Sequence, residues 1–310
     1  MTKIALGTWA WGAGAFGGDK VFGSKTDVEN LKPVFDTAMK ARLNLWDTAT
    51  VYGMGESEKI LGALAQAYKR ADVQISTKFT PQIAEVFENS VEKMALASIE
   101  RMGCDYIDIY WIHNPMDVER WTPGLIPLLQ SGKVKRVGVS NHNIKEIRRA
   151  NEILGEVGFK VSAVQNHYSL LAREWERGGL VDWCKENGVQ FWAWAVLEEG
   201  MLVPPKAHEK QSVMKLIFRS KRRKLAPLYR KMQEVGRAHG LTIPQVATAF
   251  CSSKGIVPIC GCRKPYQVQE LAQSVSVTLS TDEIRQLEQI ADSLNIRVLG
   301  ADMFRFAVKS

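Results

Sequence analysis

Nowhere in the 310 residues does an apolar run approach the ~18 residues of a membrane-spanning helix. The N-terminus, MTKIALGTWAWG, lacks the long apolar core of a secretory leader, so nothing points to export. Cysteine is sparse. Cys104, Cys184, Cys251, Cys260 and Cys262 are scattered along a long chain. They form no disulfide framework and read as reduced thiols of a cytoplasmic protein, used as small core residues. Cys260-Gly-Cys262 is too short to hold zinc by itself, and His142 and His167 complete no metal set. Low-complexity linkers, a second domain and any nucleic-acid-binding module are also lacking.

What is present is ordinary globular composition, 45% hydrophobic and 24% charged. The formal net charge is +8, but five positive charges fall in one hexapeptide, Arg219–Lys224. So local a run reads as a solvated loop or as a clamp on an anion, not as a nucleic-acid-binding surface.

Apolar strands are expected at Lys3–Leu6, Asn44–Thr48, Val73–Phe79, Tyr106–His113, Val134–Ser140, Val161–Asn166, Val189–Ala195 and Gly255–Cys260. Helical patterns lie between them. The first is capped by Thr26 or Asp27 and runs through Ala41; the next opens at Ser57 and runs to about Lys69. Others cover Ala84–Met102, Trp121–Ser131, Ile144–Leu154, Gly179–Asn187, Leu225–His239, Ile243–Ser253 and Tyr266–Gln273, and Thr281–Leu294 follows the last strand unit. Eight alternations of continuous apolar strands with helices predict a parallel α/β architecture. The expectation is a (β/α)8 TIM barrel, one domain over residues 1–310. It carries a long loop after strand seven and a C-terminal extra helix and tail. In such a barrel the sites lie at the C-terminal ends of the strands.

One motif points elsewhere. Gly12-Ala-Gly14-Ala-Phe-Gly17 fits G-x-G-x-x-G after a strand, the dinucleotide fingerprint of a doubly wound sheet. That fingerprint needs a helix starting within the glycines. Here Gly18-Asp-Lys-Val-Phe-Gly23 does not read as a helix start, and eight βα units suit the doubly wound fold poorly. The glycines therefore read as a loop beside the site or an ordinary surface loop.

At a barrel rim, polar residues from successive strand ends become neighbours. Asp47 ends strand two with Tyr52 just after it, Lys78 lies near the end of strand three, and His113 ends strand four. Asp47 and Lys78 can pair, and Tyr52 can then hydrogen-bond Lys78. An adjacent ammonium favours phenolate and lowers a phenol's pKa from ~10. Tyr52 becomes a proton donor, with His113 donating to the same oxygen from the other side. The competing reading of Asp47–Lys78 is a structural ion pair, and of His113 a hydrogen-bonded core histidine.

The stretch D-T-A-x-x-Y-G-x-G-x-S-E, Asp47 to Glu58, resembles the signature of the aldo-keto reductase family. S-T-K at 76–78, D-Y-I-D-I-Y-x-x-H at 105–113 and G-K-V-x-x-V-G-V-S-N at 132–141 are similar to three further blocks, in the family's order. The resemblance runs from about Ile4 to Leu271. It implies a barrel enzyme that uses NADPH/NADP+ to reduce an aldehyde or ketone, or to oxidise the matching alcohol. Asp47, Tyr52, Lys78 and His113 match the family's catalytic tetrad. Ser140, Asn141 and Gln165 match the groups that hold the nicotinamide carboxamide. Trp194 stands where a Tyr usually stacks on the ring, followed by Leu197 near the pyrophosphate. Thr8 and Trp9 join the cofactor set. Gly261-Cys-Arg263-Lys264 and Gln267 match the 2′-phosphate segment, and Glu270 the adenine end. The family's Asn after that Glu is Leu271 here, which would weaken or rearrange adenine contact.

Trp9 and Trp11 are the expected substrate wall with His113, giving an apolar pocket for hydrophobic carbonyls. The tail Met303–Phe306 is expected either to fold over the mouth or to be disordered. The expected partners are a small-molecule carbonyl or alcohol, with no nucleic acid or membrane. The expected state is a monomer or weak homo-oligomer. Two other functions compete: a cofactor-binding regulator like the channel β-subunits of this fold, and an NAD-dependent dehydrogenase built on the glycine motif.

Overall fold

The computed structural model describes residues 4–23, 26–84, 90–204, 221–296 and 298. Its strands are β1 (Ala5–Gly7), β2 (Leu45–Asp47), β3 (Gln74–Phe79), β4 (Ile107–Ile112), β5 (Val134–Ser140), β6 (Val161–His167), β7 (Gln190–Trp194) and β8 (Val257–Gly261). They pair in chain order, all parallel, and β1 bonds to both β2 and β8, closing a barrel. Strands of a closed parallel barrel have both faces covered, which is why they read as apolar runs without alternation. The doubly wound alternative is thereby excluded.

The barrel interior holds Ala5, Leu45, Ile109, Trp111, Trp192 and Val257. Trp111 and Trp192 meet edge to face at 5.0 Å. Gly138 on β5 makes that possible: a Cβ there would lie 2.3 Å from the Trp111 ring. A larger apolar layer fills the space between strands and helices, including Phe35, Trp46, Phe79 and Phe250.

Local sequence explains several helix ends. The Asp27 carboxylate accepts from the Asn30 amide and starts Val28–Lys40. Asn143 with Glu146, and Ser280 with Glu283, form capping boxes on Ile144–Gly155 and Thr281–Ser293. The expected helix Trp121–Ser131 is instead three short pieces, Val118–Trp121, Pro123–Leu125 and Ile126–Gln130. Pro123 and Pro127 each lack an amide N–H and sit in first turns, where none is needed.

Two other expectations change. Gly18–Phe22 does form a helix, of five residues, capped at Gly23 in the left-handed region. It is followed by a further helix, not by a strand, so it belongs to no βαβ nucleotide unit. The helix expected from Ala84 is present from Ser90 to Met102; residues 85–89 lie outside the described part. Arg219 of the basic run, most of the loop before it, and the tail Met303–Phe306 also lie outside it. Among the described residues, no helix is long and apolar enough to cross a membrane.

Candidate active site

Register places the charged residues. Asp47 at the end of β2 lies opposite Ser76 on β3, and Lys78 is two residues further along β3. Side chains two apart on a strand share a face, so Ser76 and Lys78 both reach Asp47. The Ser76 hydroxyl donates to Asp47 Oδ1 at 2.7 Å, and the Lys78 ammonium donates to Oδ2 at 2.6 Å. Thr77 between them points the other way and donates to Glu58 at 2.6 Å, tying β3 to the helix Glu56–Ala65. Lys78 is fully buried and also donates to the Thr48 carbonyl at 2.7 Å. From inside the barrel, the Trp111 indole N–H donates to Ser76 Oγ at 2.6 Å. Gln165 on β6 donates to Asp47 Oδ1 at 3.1 Å.

Tyr52 follows on a tight turn. Gly53, Met54 and Gly55 all have positive φ. At Gly53 a Cβ would also lie 2.8 Å from the Ala13 carbonyl, so the loop after β1 closes against this turn. The turn sets the Tyr52 ring 5.8 Å from Trp9, stacked, and 6.3 Å from His113, edge on. The Lys78 ammonium lies 5.2 Å from the Tyr52 ring centre.

The electrostatics reverse one expectation. Burial first, and the Asp47 carboxylate second, push the Tyr52 phenol well above its ordinary range. The expected lowering by Lys78 does not prevail, because that ammonium hydrogen-bonds Asp47 and the Thr48 carbonyl instead of the phenol. Burial also lowers Lys78, opposed by Asp47 and Glu58. His113 is pulled down to about 3 by burial and by Lys78, so its imidazole is neutral at pH 7. Its Nδ1 lies 3.2 Å from the Thr80 hydroxyl. Where Thr80 donates, Nε2 carries the imidazole proton.

The expected carboxamide set assembles on neighbouring strands. Ser140 and Gln165 are register partners and both are buried. Asn141, in the left-handed region, donates to the His113 carbonyl at 3.1 Å and to Ser140 Oγ at 3.2 Å. Its own oxygen accepts from the Trp194 indole at 3.2 Å. Hydroxyl and side-chain amides side by side offer both donors and acceptors, the chemistry a carboxamide requires. Trp194 is half-buried, as is Leu197 beyond it.

The segment expected at the 2′-phosphate leads from β8 into a helix. Exposed Gly261 ends β8, Arg263 is half-buried and Lys264 exposed, before the helix Pro265–Ser276. Gln267 caps that helix: its side-chain oxygen accepts from the Arg263 amide at 2.8 Å and the Lys264 amide at 3.1 Å. Glu270 is half-buried, and Leu271 turns inward to the core.

Two expected site residues are fully buried. Trp11 is fully buried, packed 5.2 Å from Trp46, with its indole N–H on the Cys262 carbonyl at 3.0 Å. It is a core residue and cannot form an open substrate wall. Thr8 is fully buried as well; its hydroxyl donates to the Asp47 carbonyl and accepts from Ser57. Ser76 and Glu58, which fall in sequence motifs but carry no expected role there, and Thr80 are the supports beneath the rim. Strand alternation alone could have flagged Ser76, two residues before Lys78.

Comparison with known proteins gives the same picture. The model of the Aldo/keto reductase family matches residues 3–292. A chloroplastic pyridoxal reductase of Arabidopsis thaliana is 28% identical, over 94% of this chain and 83% of its own. The Schizosaccharomyces pombe aldo-keto reductase yakc is 27% identical, over 94% and 90% respectively. The barrel superposes on an aldo-keto reductase from Klebsiella pneumoniae, crystallised with NADPH, with a TM-score of 0.72 at 21% identity, covering 93% of this chain and 90% of that one. With the signature, the barrel and the rim residues in agreement, the chain belongs to the aldo/keto reductase family.

Proposed function

We propose that this chain is an NADPH-dependent reductase of aldehydes or ketones, also able to oxidise the matching alcohol, with Tyr52 as its proton donor. The observation that carries the reading is the convergence of Tyr52 and His113, edge on at 6.3 Å, above the buried Lys78–Asp47 pair. When bound, NADPH supplies a hydride to the carbonyl carbon. Tyr52, held protonated, gives its proton to the carbonyl oxygen. Neutral His113 orients that oxygen from the other side by donating from Nε2. The Lys78 ammonium, 5.2 Å from the Tyr52 ring centre, stabilises the phenolate left behind. Asp47 favours the charged form of Lys78, opposing the effect of its burial.

Ser140, Asn141 and Gln165 would hold the carboxamide, Trp194 would lie against the ring, and Leu197 near the pyrophosphate. Arg263 and Lys264 would take the 2′-phosphate, since guanidinium and ammonium groups both bind phosphate oxygens well. Gln267 would act through the loop that it caps, and Glu270 at the adenine end. NADPH over NADH is supported by these two cations and by the yakc relative, whose name carries NADP(+). The relatives reported above are named as reductases, which supports an enzyme over a channel-type regulator. Trp9, stacked on Tyr52 and half-buried, would be the substrate wall.

We read the whole chain as one cytoplasmic domain, a monomer or weak homo-oligomer without a nucleic-acid partner. Five free cysteines support a reducing compartment. The test is consumption of NADPH by the purified protein with a panel of aldehydes and ketones. No turnover with any carbonyl would sink the reading.

A further inference from the structure

Beneath the rim a second cluster of hydrogen-bonded side chains lies outside the tetrad. His167 ends β6 and Trp194 ends β7, and the two are register partners. Their rings stack at 4.6 Å, 22° from parallel. His167 is buried, whereas Trp194 keeps part of its ring accessible. A stacked ring has two faces, and His167 covers one of them. His167 Nε2 lies 2.9 Å from Oε1 of Glu198, itself buried. The Ser169 hydroxyl donates to the same oxygen. Buried carboxylates require such partners.

The loop that delivers Glu198 is unusual. Ala195, Glu198 and Glu199 all have positive φ, and none is glycine. Side chains with a Cβ stay there only where surrounding contacts hold them. The bonds from His167 and Ser169 to Glu198 are such contacts. On its other side Trp194 donates to Asn141, and Asn141 donates to the carbonyl of His113. A continuous line therefore runs Glu198, His167, Trp194, Asn141, His113.

We propose that His167 and Glu198 are positioning residues: they fix the plane of Trp194, and through it the cofactor ring that receives or gives the hydride. The inference rests on the reading of Trp194 as the ring's stacking partner. Tryptophan presents a wider face than the Tyr usual at this place. His167 backs that larger ring and stops it from tipping inward. Side chains that act this way leave affinity largely to the adenosine phosphates and change the reaction geometry instead.

Fluorotryptophan-labelled protein, with Trp194→Phe used to assign the resonance, reads the ring directly by fluorine NMR without any cofactor. Single-turnover kinetics with NADPH and its deuterated form read the consequence. In His167→Ala the Trp194 resonance shifts and broadens. Hydride transfer slows by about tenfold or more. The deuterium isotope effect on kcat rises, while KM for the carbonyl holds. His167→Phe restores a ring against the indole and recovers most of the rate. Glu198→Gln keeps an oxygen for Ser169 and stays close to wild type, whereas Glu198→Leu follows His167→Ala. An unmoved resonance or an unchanged hydride-transfer rate in folded His167→Ala overturns the proposal, as does a His167→Phe enzyme as slow as His167→Ala. If wild-type protein turns over no carbonyl, the reductase reading fails, and the Trp194 resonance alone then decides whether His167 braces the ring.

Discussion

The Lys78 ammonium lies 2.6 Å from Asp47 Oδ2, and neither side chain is more than 3% exposed. Two charges taken out of water this completely survive only as a pair. Asp47 is well occupied: Oδ1 accepts from Ser76 and Gln165, and Oδ2 from Lys78. Asp47→Asn would leave the lysine buried without its counter-charge. The expected outcome is a loss of about 3–5 kcal/mol in stability. Carbonyl reduction would fall as Lys78 sheds its proton, and urea unfolding together with steady-state rates checks both. Stability and rate within error of wild type would remove the pair from the mechanism.

Tyr52→Phe isolates the proton. The ring and its stacking on Trp9 remain, but the hydroxyl is gone. Reduction is expected to fall about 10²–10⁴-fold, the usual range for removing a general acid. NADPH affinity should hold, since no cofactor contact is assigned to the hydroxyl. Fluorescence titration beside turnover measures the two separately. Because burial and Asp47 hold the phenol protonated, the wild-type reduction rate should also show no loss of the donor between pH 7 and 9.

Arg263→Ala separates the two nicotinamide cofactors. A charge-assisted contact to the 2′-phosphate is worth about 1.5–3 kcal/mol. Kd for NADPH should therefore rise about 10- to 100-fold while that for NADH barely changes. Equal losses for both would mean that the phosphate lies elsewhere.

The tetrad was legible because a parallel barrel turns strand order into proximity: Asp47, Lys78 and His113 needed only successive strands to become neighbours. The rest depended on quantities that one chain does not display. Trp11 and Trp9 look alike in sequence, two residues apart after a three-residue strand, yet one faces the core and the other stacks on Tyr52. Gly18–Phe22 was hidden by glycines at both ends of a five-residue helix. The direction of the Tyr52 shift was missed for a similar reason. A nearby lysine can be inferred from spacing, but its bonds to Asp47 and the Thr48 carbonyl, and the depth of the phenol, cannot.

Trp11→Ala and Trp9→Ala should divide along that line. Removing Trp11 empties core volume beside Trp46 and should cost about 3–5 kcal/mol of stability. The folded fraction should keep its KM for carbonyls. Removing Trp9 should do the opposite, raising KM with little loss of stability, because the ring is only half-buried. Thermal unfolding and KM on a common aromatic aldehyde decide the assignment. A raised KM in Trp11→Ala with unchanged stability would return it to the substrate wall.

Acid should unfold this protein partly through two histidines. Burial pulls His113 to about 3 and His142 to about 4, against an ordinary value near 6.5. Both are therefore neutral in the folded chain, while the unfolded chain takes up two protons as pH drops through about 6.5. The unfolded state binds more protons throughout that window, so stability falls as pH falls. The contribution is whole above pH ~6.5 and is lost progressively, with His142 reaching its limit near 4 and His113 near 3. Each group contributes a slope of up to about 1.4 kcal/mol per pH unit. Urea unfolding at pH 7 and pH 5 should differ by roughly 2–4 kcal/mol from this source. His142→Gln keeps a polar side chain at the Ser140 carbonyl, which the ring nitrogen now approaches at 2.7 Å, and removes one titrating group. It should cut the pH dependence by about half. A slope unchanged in His142→Gln would mean that His142 does not carry its share, and that the acid sensitivity comes from the buried carboxylates instead.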